Sequence, residues 1–358
     1  MRIKQGAVLF YHSFDVGGEI LLDKVEKLLG TVPKTSPLEL KKISPKYVQY
    51  RRPPLLISLG SEKIGIGNRI VEAKVSAKLY DFGVVTVIHR VPFSGELREL
   101  RELSAGVWDA LPALEEAAFS RVGKIKAELG PLVINPSREL FSEDYVIYHV
   151  NRFDRPAGAG ELAKKYADDI ACMLAFEPGG LSEQKTKSIL KNSVSYSNDL
   201  VVAGWNAAFV YDTEECYDTF DVLEYANMEL LELRWYDRVL DAGLDGAYDD
   251  LRKPGPILGS KYSRISAGLF ELGLDVSEVM ERVDNSLKLV GEPYLAGVHE
   301  SAASAFHLKE WRDGVDRKLG LVKDIYTVLN HELETTRLII LEVLVIVLIA
   351  AEIVLALV

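Results

Sequence analysis

Six histidines and two cysteines are the residues of this 358-residue chain best suited to metal binding or nucleophilic catalysis. His12, His89, His149, His299, His307 and His331 are scattered, none in an HExxH pair, and neither Cys172 nor Cys216 has a CxxC partner. A structural zinc site needs ligands at short, regular spacing, so none is expected. A Cys-His nucleophile has only the presence of the residue types in its favour, and free cysteines more often fill cores. The run Gly65-Ile66-Gly67-Asn68-Arg69-Ile70 follows a strand-like stretch, but a dinucleotide loop needs Gly or Ala where Ile70 stands. It reads better as a turn feeding the next strand. The P-loop and the GxSxG elbow are absent. Asp241, Asp245, Asp249 and Asp250 lack the ligand order of a calcium loop and fall on one solvated helical face. No catalytic residue, cofactor or metal site is assigned.

Composition narrows the field further. With 48% apolar residues, the chain can bury a core and is not disordered. Two cysteines allow at most one bridge, which excludes a disulfide scaffold. The net charge of −11 argues against a broad nucleic-acid surface, since such surfaces depend on clustered Lys and Arg. The charge is also uneven: residues 213–250 hold twelve acidic side chains against Arg234 and Arg238. Two readings fit this stretch, a solvated helix face or a docking surface for a basic protein partner.

The elements that must position these residues fall into three segments. Residues 1–212 alternate short strand-like runs with helices, as expected of an α+β domain with a partly antiparallel sheet. Strands are expected at 7–11 and 145–150, and helices at 20–29, 96–129, 161–176 and 182–191. Hairpins are expected at 69–89, turning at Asp81-Phe82-Gly83, and at 200–211. Residues 32–54 hold five prolines and read as an irregular connector with a strand inside it. Asp212-Thr213-Glu214-Glu215 has the form of a capping box opening the second segment, 213–337. There Leu223, Ala226, Leu230, Leu233 and Leu240 recur at helical spacing, a seam for self-association in a helical hairpin or coiled coil. Pro254-Gly255-Pro256 breaks the chain before two further stripes, Val276-Met280-Val283-Leu287 and Trp311-Val315-Val322-Ile325-Leu329. Trp205 and Trp311 are expected to be packing anchors.

Residues 338–358, LIILEVLVIVLIAAEIVLALV, form the third segment. As a helix this segment is about 31 Å long, the thickness of a bilayer core. Its sixteen Leu, Ile and Val favour insertion by roughly 5–10 kcal/mol. An ionised side chain near the centre costs on the order of 3 kcal/mol. Glu342 can reach the near interface, whereas Glu352 lies deeper and needs protonation or a partner on a neighbouring helix. Residues 1–6 do not open a signal peptide, so the segment is expected to act as a tail anchor. Arg337 and the Lys and Arg upstream favour a cytoplasmic body.

Three stretches then carry a likeness to a known family. The run Asp221-Val222-Leu223-Glu224-Tyr225-Ala226-Asn227-Met228-Glu229-Leu230-Leu231-Glu232-Leu233-Arg234-Trp235-Tyr236-Asp237 resembles the helical core of the YagE-like family, which contains the "required for meiotic nuclear division" (Rmd/Sif-type) proteins. So do Leu287-Lys288-Leu289-Val290-Gly291-Glu292-Pro293-Tyr294-Leu295-Ala296, Trp311 with Lys318-Leu319 and Tyr326, and Arg337 followed by the terminal apolar helix with both glutamates. The resemblance covers residues 195–358. It implies a membrane-anchored protein without a defined activity, whose mitochondrial relatives support translation by tethering or stabilising the machinery. The first residues here are not an Arg- and Ser-rich targeting helix, so a prokaryotic member is expected.

A non-enzymatic, tail-anchored scaffold that forms homo-oligomers is therefore the leading expectation. A channel or transport subunit with a helical stalk is one alternative, although the Gly-Met-Asn loop and second span of CorA-type channels are missing. An enzyme acting on a nucleotide or RNA in the first domain is the other.

Overall fold

The computed structural model describes residues 1–30, 39–41, 48–50, 52–196, 198–213, 217–252, 260–289 and 293–357. Most of the 32–54 connector, Glu214 and Glu215 of the capping box, Cys216, Pro254-Gly255-Pro256 and the Val290-Gly291-Glu292 run lie outside them. Two compact units are present, Met1–Glu232 with Arg282–Lys309, and Leu233–Glu281 with Glu310–Val358.

The first unit begins β1 (Arg2–Ile20), α1 (Leu22–Gly30), β2 (Glu39–Lys41), β3 (Val48–Tyr50), β4 (Leu55–Ile66), β5 (Arg69–Leu79) and β6 (Val84–Glu96). It continues α2 (Leu97–Leu129), β7 (Val133–Phe153), α3 (Ala159–Lys165), α4 (Ala167–Leu174), α5 (Glu183–Leu190), β8 (Ser193–Val194), β9 (Leu200–Ala203) and β10 (Ala207–Tyr211). Then follow α6 (Tyr217–Arg252), α7 (Ser260–Ser286), β11 (Leu287–Leu289), α8 (Pro293–Ala305) and α9 (Leu308–Leu357). Nine strands form one mixed sheet in the order β2-β4-β5-β6-β1-β7-β10-β9-β8. Its pairs are antiparallel except β7 with β10. β3 and β11 pair separately.

The sheet is built around β1, which pairs with β6 on one side and β7 on the other. Side chains alternate across a strand, so Val8, Phe10, Phe14 and Val16 share one face and meet α2. α2 presents Leu100, Val107, Leu111, Leu114, Ala118, Val122 and Ile125 to them at three- and four-residue spacing. Each large side chain removed from water here contributes about 1.5–3 kcal/mol. Gly130, at φ 49°, ends the helix and donates its N–H to the Lys126 carbonyl.

The mixed sheet followed by helices, the last of them long and apolar, matches the expected fold class. Element lengths differ. The expected strands at 7–11 and 145–150 extend to 19 and 21 residues, because partners on both sides satisfy the backbone beyond the apolar runs. The expected 161–176 helix divides at Tyr166, whose ψ of 16° separates α3 from α4. The Gly65-Ile66-Gly67 run lies at the β4–β5 turn, with Gly67 at φ 56°. That turn lies against α2: a Cβ on Gly106 would be 2.6 Å from the Gly67 nitrogen.

In the second unit the buried apolar residues among those described are Leu233, Leu240, Leu244 and Ala247 of α6, Ile265, Leu269, Val276 and Val279 of α7, and Val315, Val322, Leu329 and Leu333 of α9. Lys318 holds Asp237 and Asp241, each at 2.7 Å. The Ser266 hydroxyl donates to the Asn330 side-chain oxygen at 3.0 Å, and Phe270 stacks on Tyr326. Beyond Leu333 α9 has no buried side chain among its described residues.

Gly83 offers a direct check of the β5–β6 turn. Its φ is +92°, and a Cβ there would fall 1.6 Å from the Gly17 carbonyl oxygen. Gly83→Ala should cost at least about 2 kcal/mol in denaturant unfolding. Gly65→Ala, with nothing within 4 Å of its Cβ, should stay within about 0.5 kcal/mol of the parent. Equal effects at the two positions would contradict the turn.

Candidate functional site

The second face of the sheet is polar, and the first half of α6 is buried in the same unit. Odd residues of β1 (Tyr11, Ser13, Asp15) and even residues of β5 and β6 (Ser76, Lys78, Thr86, Arg90) share this face, by strand alternation and register. From Asp218 to Leu233 every residue of α6 is buried. Asp218, Asp221, Glu224, Glu229 and Glu232 are therefore interior groups, which corrects the reading of 213–250 as one solvated face. Of the four aspartates expected on one solvated face, Asp241, Asp245 and Asp249 are exposed, whereas Asp250 is half-buried and pairs with Arg264.

Buried carboxylates require partners, and Lys78 supplies them. Its ammonium, itself buried, lies 2.6 Å from Asp221 and 2.5 Å from Glu224. The two acids are three residues apart and so share one side of the helix. Burial raises the Glu224 carboxyl above its usual range; the Lys78 charge opposes this without cancelling it. Further along, Glu229 meets His299 at 2.8 Å. Burial works against the His299 cation, but the Glu229 hydrogen bond and charge prevail and raise its pKa.

At the far end Asp15 accepts the Gly17 N–H at 3.1 Å and the Ser137 hydroxyl at 2.6 Å. Burial nevertheless lifts its carboxyl to about 6, against the lowering effect of those bonds and of Lys126. Glu232 is lifted well above the carboxylate range, first by burial and then by the Asp15 charge.

Beside α6 an open groove of about 1150 Å³ runs over β4, β5, β6 and β1, lined among others by Tyr11, Lys74, Lys78, Arg90, Phe220 and Asp221. It combines three cationic side chains with an apolar wall. His149 is buried, with its ring edge-to-face on Phe220 at 4.8 Å. Burial, aided by Arg90, lowers its pKa to about 4, so it stays neutral.

The opposite face holds a second polar cluster. His12 and His89, far apart in sequence, come within 6.0 Å edge-to-face because Phe10 registers with His89 across β1 and β6. His89 meets Glu62 at 2.8 Å, and Glu62 also pairs with Arg121. Burial and the neighbouring His89 lower His12 to about 3. This seam separates the apolar packing under α2 into two clusters, one around Phe10 and one around Phe14. No group of three or more potential metal ligands occurs among the described residues. Burial pushes the Cys172 thiol up, the opposite of an activated nucleophile.

The sequence-selected residues are placed as follows. Leu223, Ala226, Leu230, Leu233 and Leu240 are all buried within one chain, so they form core packing and are not an open seam for self-association. Trp205 is 44% exposed, with its ring 6.0 Å from His307, and does not serve as a buried anchor. Trp311 is partly buried and carries the Arg234 guanidinium 5.9 Å from its ring centre. Glu342 and Glu352 are exposed along α9. Sequence reasoning missed Lys78, Asp15, Glu224 and Glu232; the one available signal was a lysine and an aspartate on strands otherwise rich in apolar residues.

The site and fold define a mixed-sheet protein with an ionised interior under a helix and a long apolar helix near its end. The family described as "Uncharacterized protein MJ0711, N-terminal domain" matches residues 5–218, and the chain belongs to that family. It is 24% identical over 286 residues to uncharacterized protein MJ0711 of Methanocaldococcus jannaschii, covering 79% of this chain and 82% of that relative. No solved structure matches it.

Asp15 gives the interior a measurable pH signature. Its carboxyl is raised from 3.8 to about 6 in the folded chain, which therefore holds the proton more tightly than the unfolded one. The resulting stability is full below about pH 4 and is lost as pH rises towards about 6, on the order of 3 kcal/mol. Asp15→Asn should remove that loss, so the stability difference between variant and parent widens from pH 4 to 6 in urea unfolding. A difference independent of pH would contradict the burial of this carboxyl.

Proposed function

We propose that the chain is a membrane-anchored, non-enzymatic scaffold, with residues 338–358 as the anchor and the mixed-sheet domain as its cytoplasmic head. One observation carries this reading: α9 has an 18-residue window of mean hydropathy 3.0, none of it buried. Fourteen large aliphatic side chains between Leu338 and Leu355 are exposed, which would be a severe liability in a soluble protein. In a bilayer the same surface is stabilising. Arg337 and the basic residues before it support a cytoplasmic head.

The finer assignment to the Rmd/Sif-type proteins rests on the helical and terminal motifs quoted above. With it comes support of translation, or of another machinery, at the membrane. Self-association rests on Glu342 and Glu352, since carboxylates within lipid favour a neighbouring helix that satisfies them. Exposed Asp245 and Asp249 offer a face for a basic protein partner.

Alkaline carbonate extraction of membranes from expressing cells tests the anchor. The full chain should remain in the membrane pellet and require detergent for release, whereas a chain ending at Arg337 should appear in the supernatant. A full chain released by carbonate without aggregating would overturn the proposal.

A further inference from the structure

The groove over β5 and β6 holds an arrangement that the scaffold reading leaves unused. Lys74 and Arg90 are direct cross-strand partners, and both line the groove. Side chains so paired start only about 4.5–5.5 Å apart at Cβ, where like charges repel. Among the described residues no carboxylate pairs with either of them. Glu72, two residues before Lys74 on the same strand, takes the Ser61 hydroxyl at 2.9 Å. Lys78, by contrast, is fully engaged by Asp221 and Glu224. Two cations are thus held together and unneutralised at one end of a groove whose other end is occupied by a closed ion cluster.

The geometry points to a binding site for a small organic phosphate, with the phosphate between Lys74 and Arg90. A guanidinium fork beside an ammonium matches the oxygens of a phosphomonoester better than a single charge would. From that end the strand runs four residues to Lys78, about 13 Å at strand rise. Leu9 and Ile88 line the space between, and Phe220 lies with Asp221 on the α6 wall. An apolar ligand body fits along this wall, while the Asp221 end repels a second anionic group. The groove, about 1150 Å³, accommodates a molecule of nucleotide size. All of these residues belong to the first unit, so the site stands whether or not α9 enters a bilayer.

Calorimetric titration of the full chain in neutral detergent provides the test, with three probes: inorganic phosphate, a nucleoside monophosphate, and short-chain phosphatidic acid. Sodium chloride at matched ionic strength is the control. At least one probe should bind, and Lys74→Gln and Arg90→Gln should each weaken it at least tenfold, while Lys124→Gln on α2 leaves it unchanged. The probe that binds more tightly identifies a soluble or a lipid source for the phosphate. No binding by any probe, or binding retained in both groove variants, would overturn the site.

Discussion

A single lysine ammonium between two carboxylates, in an interior nearly closed to water, is the constraint on which the first unit rests. Lys78 comes from β5, and Asp221 and Glu224 come from α6, more than 140 positions later. Taking any one of these charges out of water costs several kcal/mol, and only the mutual attraction of the set offsets this. The helix therefore cannot turn about its axis or slide along the sheet without stranding a charge. That restriction fixes which residues line the groove, and it holds Asp15 and Glu232 where their charges act on one another. Apolar packing under α2 removes large side chains from water, while the ion cluster constrains the register of α6.

The same logic accounts for what could be read from the sequence and what could not. Helix α2 was legible because its buried positions recur at helical spacing and Gly130 stops it. The β5–β6 turn was legible because Gly83 occupies a conformation other residues avoid. Residues 338–358 were legible because nothing but lipid or a fully enclosing core suits so long an apolar run. The acidic stretch misled, because local periodicity counts charges on a helix and is silent about a lysine far away in sequence. Leu223, Ala226 and Leu230 are buried within their own chain, but so is every residue from Asp218 to Leu233, so no separate stripe marks them. His12 and His89 looked dispersed only because strand register, which local sequence does not reveal, brings them together.

Charge is handled in two ways along this molecule. In the first unit some buried acids are matched, Asp221 and Glu224 by Lys78 and Glu229 by His299, whereas Asp15 and Glu232 are buried without an ion pair among the described residues. In the terminal helix Glu342 and Glu352 stand exposed among aliphatic neighbours. A carboxylate in so apolar a stretch is costly wherever its neighbours exclude water. Between these extremes lie Lys74 and Arg90, an exposed and a half-buried cation with no ion-pair partner among the described residues on the open face of the sheet. The contrast within one unit gives that pair its meaning.

The decisive measurement is denaturant unfolding of the full chain carrying Lys78→Met, compared with the charge-free combination of Lys78→Met, Asp221→Asn and Glu224→Gln. If the ion cluster holds α6 in register, the single substitution strands two buried carboxylates and costs about 3–5 kcal/mol, and neutralising both acids recovers most of that loss. A single substitution no more costly than a surface change, about 0.5 kcal/mol, would contradict the account, as would a combination that only adds to the damage.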